Sequence, residues 1–229
     1  MFEKVQNECI ASFDITVCGP LLIGGTNISS IDPTVADDRT LMSRKNGKLV
    51  PVLPGSSIKG VFRNAVCWDY VKKHNKEKMP DNLDDIDFVK GIFGNADDNT
   101  KRKSKISFFD AYAKDDFKLA VRHSASINPL TQATINGALF DTEYMSSGSF
   151  EAGFKFVNFK PEEMKAVLKV FEGINEGFVR FGGRTSRGFG KVKVENFSLK
   201  ITEGYDENLN SKVKEISSLD DALKQYSEI

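Results

Sequence analysis

Hydrophobic and polar positions alternate clearly in four short stretches of the chain. In residues 8–18, Cys9, Ala11, Phe13, Ile15 and Val17 fall on one face, the period of a half-buried strand. Residues 103–113 (KSKISFFDAYA) read as a second strand, and 150–157, with Phe150, Ala152, Phe154 and Phe156 in phase, as a third. A fourth covers 191–201, where the phase slips near Glu195-Asn196 and predicts a bulge. Two stretches change to the helical period. Ile58, Val61, Phe62, Ala65 and Val66 make one apolar stripe, opened by Ser56 or Ser57 as N-cap, and its polar side carries Lys59, Arg63 and Lys72. Met164, Val167, Leu168, Phe171 and Ile174 make the other, with Pro161 at the first helical position.

The resulting order is strand, helix, strand, strand, helix, strand. It predicts an α+β, RRM-like (ferredoxin-like) domain of the split βαβ type. Two long segments without a clear period, about 26–50 and 114–141, read as insertions, and long insertions of that kind are usually functional or disordered. A shorter helix leads into GIFGN at 91–95. One decorated domain, 1–203, is expected, with a charged tail at 204–229 that ends in a short helix.

Composition narrows the classes. The 229 residues hold 32 Lys+Arg, 32 Asp+Glu and 40% hydrophobic residues, enough for a true core. No apolar run reaches membrane-spanning length, and MFEKVQNECIASF lacks the apolar region of a signal peptide, so a cytoplasmic protein is expected. Cys9, Cys18 and Cys67 lack metal-ligand spacing and read as buried free thiols. With His74 and His123 as the two histidines, a His-rich metal site is excluded.

Zero net charge argues against nucleic acid only if the charges are evenly spread. They are not. Fourteen of the 32 basic residues lie in the acid-free windows 44–63, 101–105 and 180–193, while acids cluster at 81–87 and beyond 203. Such segregation gives a neutral protein a basic face. Within the third window, GGRTSRGFG (182–190) offers unhindered backbone N–H groups beside two guanidiniums. Gly183, Arg184 and Arg187 are therefore candidates for phosphate contact. No GK[ST] follows, and the loop comes after a helix and before a strand, so it is neither a P-loop nor a dinucleotide fingerprint.

LLIGG (21–25), PVLPGSSIKGVFR (51–63), IFG (92–94), FFDAY (108–112), ALFDTEY (138–144) and GGRTSRGFG, in this order, resemble the RAMP superfamily over about residues 8–201. The resemblance points to the backbone subunits of type III CRISPR effector complexes, RRM-like proteins that polymerise along a guide RNA. It implies that Ser56, Ser57, Lys59 and Arg63 face the guide backbone, which agrees with their place near a helix N-terminus. It implies that Asp32, in IDPTVADD, cleaves paired target RNA with Mg2+ or another divalent cation, with Asp37 and Asp38 as neighbouring alternatives. It also implies that 114–141 forms a thumb-like hairpin wedged between guide and target, with Ile127, Leu130 and Ile135 as wedges and His123 as a guide contact or, alternatively, a general acid/base. The implied partners are guide RNA, target RNA, further copies of the chain in a filament, and other subunits including a large polymerase-like one. A non-catalytic scaffold and a stand-alone guide-processing ribonuclease are the competing readings.

Overall fold

The computed structural model describes residues 5–24, 36, 38–74, 86–95, 102–204 and 211–227. The four alternating stretches form one antiparallel sheet. β1 (Asn7–Val17) lies between β8 (Ser149–Val157) and β9 (Val192–Glu203). β4 (Ile106–Phe108) and β5 (Ala111–Ala113) follow one another along the far side of β8. That is the strand arrangement of a split βαβ domain. A hairpin of β2 (Met42–Lys45) and β3 (Lys48–Leu53) widens the sheet beside β5.

The expected strand at 103–113 is therefore two strands. The break at Phe109-Asp110 has a cause: the Asp110 carboxylate accepts the Gly55 N–H at 2.8 Å, at the first residue of α1 (Gly55–Lys73). The helix is thus capped from a neighbouring strand. Pro54 occupies the N-cap position without a side-chain hydrogen bond, so Ser56 and Ser57 lie in the first turn and are not the cap. A Cβ on Gly55 would meet the Phe108 carbonyl oxygen at 2.4 Å, which explains glycine there. α3 (Pro161–Asn175) begins at Pro161, as its sequence predicts.

Both helices cover the same face of the sheet. Phe171 of α3 meets Phe13 of β1 at 4.9 Å, Phe62 of α1 at 5.1 Å and Phe197 of β9 at 5.4 Å between ring centroids. Edge-on contacts of this kind suit the ring quadrupoles. The expected bulge is present: Ser12 pairs with Ser198 but Asp14 pairs with Glu195, which leaves one extra residue on β9. Asn196 takes a φ of 51° there and donates its side-chain N–H to Asp14 at 2.7 Å.

Both segments expected to be irregular contain hairpins. β2 and β3 turn at Asn46-Gly47, whose φ angles of 51° and 81° are those of a tight two-residue hairpin turn. β6 (Lys118–Ile127) and β7 (Thr134–Ser147) form a separate two-stranded ribbon that projects from the sheet, the hairpin that the family resemblance implies. Beyond residue 203, β10 (Lys212–Ile216) adds to the edge at β9, and α4 (Leu219–Ser227) packs on α3. α2 (Asp87–Phe93) packs on α1, and its Asp87 lies 3.9 Å from Arg102; the other acids of the 81–87 cluster fall outside the described residues. Cys9 and Cys67 are buried as expected, but Cys18 is exposed, because it lies just past the end of β1. Burial pushes the Cys9 thiol up to about 12. Among the described residues no helix is long and apolar enough to cross a membrane.

Candidate nucleic-acid interface

The glycine-rich loop after α3 is seated on the segment that follows β1. Gly183 N–H donates to the Leu22 carbonyl at 2.9 Å, and Gly190 N–H to the Pro20 carbonyl at 2.8 Å. A Cβ on Gly182 would stand 2.1 Å from the Leu22 oxygen, and one on Gly190 2.1 Å from the Phe181 oxygen. Close backbone approach therefore requires these two glycines, and it ties LLIGG to GGRTSRGFG. Between them, Thr185–Arg187 form a single 3-10 turn.

This loop closes one end of a groove of about 1240 Å3 that runs between α1 and α3. Ser57, Gly60 and Asn64 present one face of α1 to it, and Gly173 and Gly183 keep the opposite side low. Its basic side chains are Lys72, Lys169 and Arg180, one each from α1, α3 and the loop. Among the described residues that line it, the one acid is Asp69, and its carboxylate is ion-paired with Lys73. The groove is therefore electropositive. Gly60 is informative because it lies inside a helix, where glycine costs about 1 kcal/mol relative to alanine. A Cβ added there would meet no atom within 4 Å, so packing inside the molecule does not require glycine at this position. A bare helix surface in a positive groove lets an external chain approach closely.

The residues singled out from the sequence divide into three groups. Ser57 and Gly183 line the groove. Ser56, Lys59 and Arg63 are not among its lining residues. Lys59 and Arg63, one helical turn apart, share another flank of α1, where burial and the Arg63 charge hold the Lys59 ammonium below its ordinary pKa. Arg187 is exposed at the end of the 3-10 turn.

Arg184, Asp38 and the ribbon form the third group. The Arg184 guanidinium is ion-paired with Asp38 and lies 4.8 Å from the Phe140 ring centroid. Asp38 is itself laced to β7: its N–H donates to the Asp141 carbonyl at 3.1 Å, and its carbonyl accepts the Glu143 N–H at 2.8 Å. Arg184 thus locks the glycine loop, the 38–40 segment and the ribbon together. Arg122, from β6, ties the ribbon to the glycine loop, 4.6 Å from the Phe189 ring and 5.5 Å from that of Tyr144. His123 Nδ1 is 2.7 Å from the Asp141 carboxylate on the ribbon, a contact that fixes the ring's orientation. Near the ribbon tip, Ile127 is 64% and Leu130 92% exposed, and Ile135 is exposed as well.

Asp32 and Asp37 lie outside the described residues. Among the described residues no three His, Cys, Asp or Glu side chains converge as a metal site would need, and the Asp38 carboxylate is engaged by Arg184. The described residues therefore do not build a divalent-cation site.

The sequence marks Lys72 only as a polar-face residue of its helix and does not single out Lys169. The two lysines come to line one groove only once α1 packs beside α3, which the helical period of either segment alone does not reveal.

Comparison with known proteins bears on the same elements. The RAMP superfamily profile matches residues 14–193, from β1 to the start of β9. A protein of Methanocaldococcus jannaschii named CRISPR system Cms endoribonuclease Csm3 is 29% identical over 227 residues, covering 91% of this chain and 85% of that protein. A Streptococcus thermophilus protein of the same name is 28% identical over 211 residues, covering 81% of this chain and 87% of its own length.

Proposed function

The chain belongs to the RAMP superfamily, and on that premise we propose that it is a backbone subunit of a type III CRISPR ribonucleoprotein that holds guide RNA and cleaves base-paired target RNA in antiviral defence. The observation that carries the RNA-binding part is the groove: positive, floored by glycine, and open along α1 up to the glycine loop. Cations recognise phosphate without reading sequence, which suits a subunit whose specificity comes from base pairing. Copies of the chain along one guide, beside other subunits including a large polymerase-like one, would multiply weak contacts into stable binding.

For cleavage the reading assigns Asp32. Its carboxylate takes the proton of a target ribose 2′-hydroxyl as that oxygen attacks the adjacent phosphorus. The bond to the 5′-oxygen of the next nucleotide breaks and that oxygen takes a proton from water, leaving a cyclic phosphate and a 5′-hydroxyl. Mg2+ or another divalent cation is the expected cofactor. Asp38 holds Arg184 and is a positioning residue in this reading.

The test uses the assembled complex with guide and complementary target. Asp32→Ala is expected to abolish target cleavage while guide RNA still copurifies; EDTA is expected to stop the wild type and excess Mg2+ to restore it. Full cleavage by Asp32→Ala would remove Asp32 from the site. Cleavage of guide precursor that persists in EDTA and is lost in His123→Ala would favour a processing ribonuclease, the reading that the His123–Asp141 pair supports.

A further inference from the structure

The groove carries more than positive charge. Trp68, on the α1 wall, is 46% exposed, and Phe178, on the wall formed by the loop after α3, is 84% exposed. Two large aromatic side chains left in water on either side of one cleft form a shared apolar patch; the third exposed large aromatic among the described residues, Phe109, lies away from the groove. Phe178 is held out by its backbone. Gly177 N–H donates to the Ile174 carbonyl with a φ of 83°, and Val179 N–H donates to the Gly173 carbonyl, so the turn closes under Phe178 and leaves its ring outside.

We propose that the groove is a stacking site for unpaired RNA bases, with Trp68 and Phe178 as the platforms and Lys72 and Lys169 as the phosphate contacts. The inference rests on the RNA-binding reading and adds to it the state of the RNA: single-stranded, with its bases turned into the cleft. Charge complementarity selects RNA over a protein occupant. Lys72, Lys169 and Arg180 face a cleft whose one described acid is already ion-paired, and a polyanion with flat aromatic faces satisfies both features. The open surface of Gly60 gives the ribose-phosphate chain room to lie against α1. Stacking tolerates any base, so the site requires no particular guide sequence.

Trp68 is the one tryptophan of the chain, so intrinsic emission reports on this groove alone. The full-length protein is titrated at low salt with end-labelled oligouridylate, recording strand anisotropy and Trp68 emission together, and then with the same strand annealed to oligoadenylate. Trp68 emission is expected to be quenched in step with the anisotropy by the single strand and not by the duplex. Phe178→Ala, on an exposed loop, is expected to weaken binding about fivefold or more, from the roughly 1–3 kcal/mol of a stacked base. A flat anisotropy would sink the RNA reading together with this site. Rising anisotropy with unchanged Trp68 emission would leave RNA binding intact and overturn the stacking site alone. Phe178→Ala with unaltered RNA affinity but lost self-association would overturn it too, making the groove an interface between copies.

Discussion

The two sides of the sheet differ in how their polar groups are satisfied. On the side away from the helices, Glu8, Ile10, Ser12, Asp14 and Thr16 of β1 point outward, and their neighbours complete them. Ser12 bonds Ser198 at 2.7 Å, Thr16 donates to Glu195 at 2.6 Å, and Asp14 accepts from both Lys114 and Asn196 at 2.7 Å. Lys155 pairs with Glu8 and Lys45 with Glu151. RRM sheets bind RNA by stacking bases on aromatics of their central strands. The central strands here, β1 and β8, present no aromatic outward; Phe109, beside them on the β4–β5 connection, lies against Gly153 and is 46% exposed. In the groove the balance is reversed: cations outnumber acids, aromatics are exposed, and a helix glycine meets nothing. An RRM-like fold therefore does not by itself say which face binds RNA. The face whose polar groups are already paired is the weaker candidate.

The strongest way to break this comparison is to remove what both sides share. Phe171 lies under the sheet and on the helix that forms one wall of the groove, in ring contact with Phe13, Phe62 and Phe197. Phe171→Ala is expected to cost about 3–5 kcal/mol, from lost burial plus the cavity left behind. Chemical denaturation should show it as a lower midpoint, and loss of RNA binding should follow unfolding without preceding it.

A smaller and sharper test separates the two faces. The double substitution Lys72→Glu and Lys169→Glu should weaken single-stranded RNA binding by about tenfold or more and flatten its salt dependence by about 1.4 in log–log slope, because two phosphate contacts are lost. Lys200→Glu, on the outward side of β9, should leave both unchanged within about twofold. Equal losses from the two faces, measured by anisotropy across a salt series, would abolish the distinction.

How much of this was legible in the sequence follows from burial. β1, β8, β9, α1 and α3 each bury one face, so each leaves a clean period in the chain, and even the bulge at Asn196 shows as a phase slip. The ribbon of β6 and β7 is mostly exposed on both faces, so it leaves no alternation, and only the family resemblance announced it. The β2–β3 hairpin carries an Asn-Gly turn signal inside a polar stretch with no clear period. The groove was hidden for a different reason. Lys59, Arg63 and Lys72 look alike on a helical wheel, but α3 packs along one flank and gives Lys72 a partner wall that Lys59 and Arg63 lack. Arg184 was legible as a cation; that Asp38 had claimed it was not, because the two are 146 residues apart.

The last test concerns Gly60, where stability and binding should move in opposite directions. In an isolated helix, alanine is favoured over glycine by about 0.5–1 kcal/mol, because it restricts the unfolded chain and costs no contact. With no atom within 4 Å of the new methyl group, Gly60→Ala should gain that amount and raise the melting temperature by a few degrees. If the RNA backbone lies against this surface, the same methyl intrudes on a filled contact, at about 1 kcal/mol or more, or roughly fivefold in affinity. A more stable protein that binds oligouridylate less well is the expected result, read by thermal melting and anisotropy on one preparation. A gain in stability with unaltered affinity would mean that nothing approaches α1 at Gly60, and the RNA would have to run higher, along the glycine loop and the ribbon.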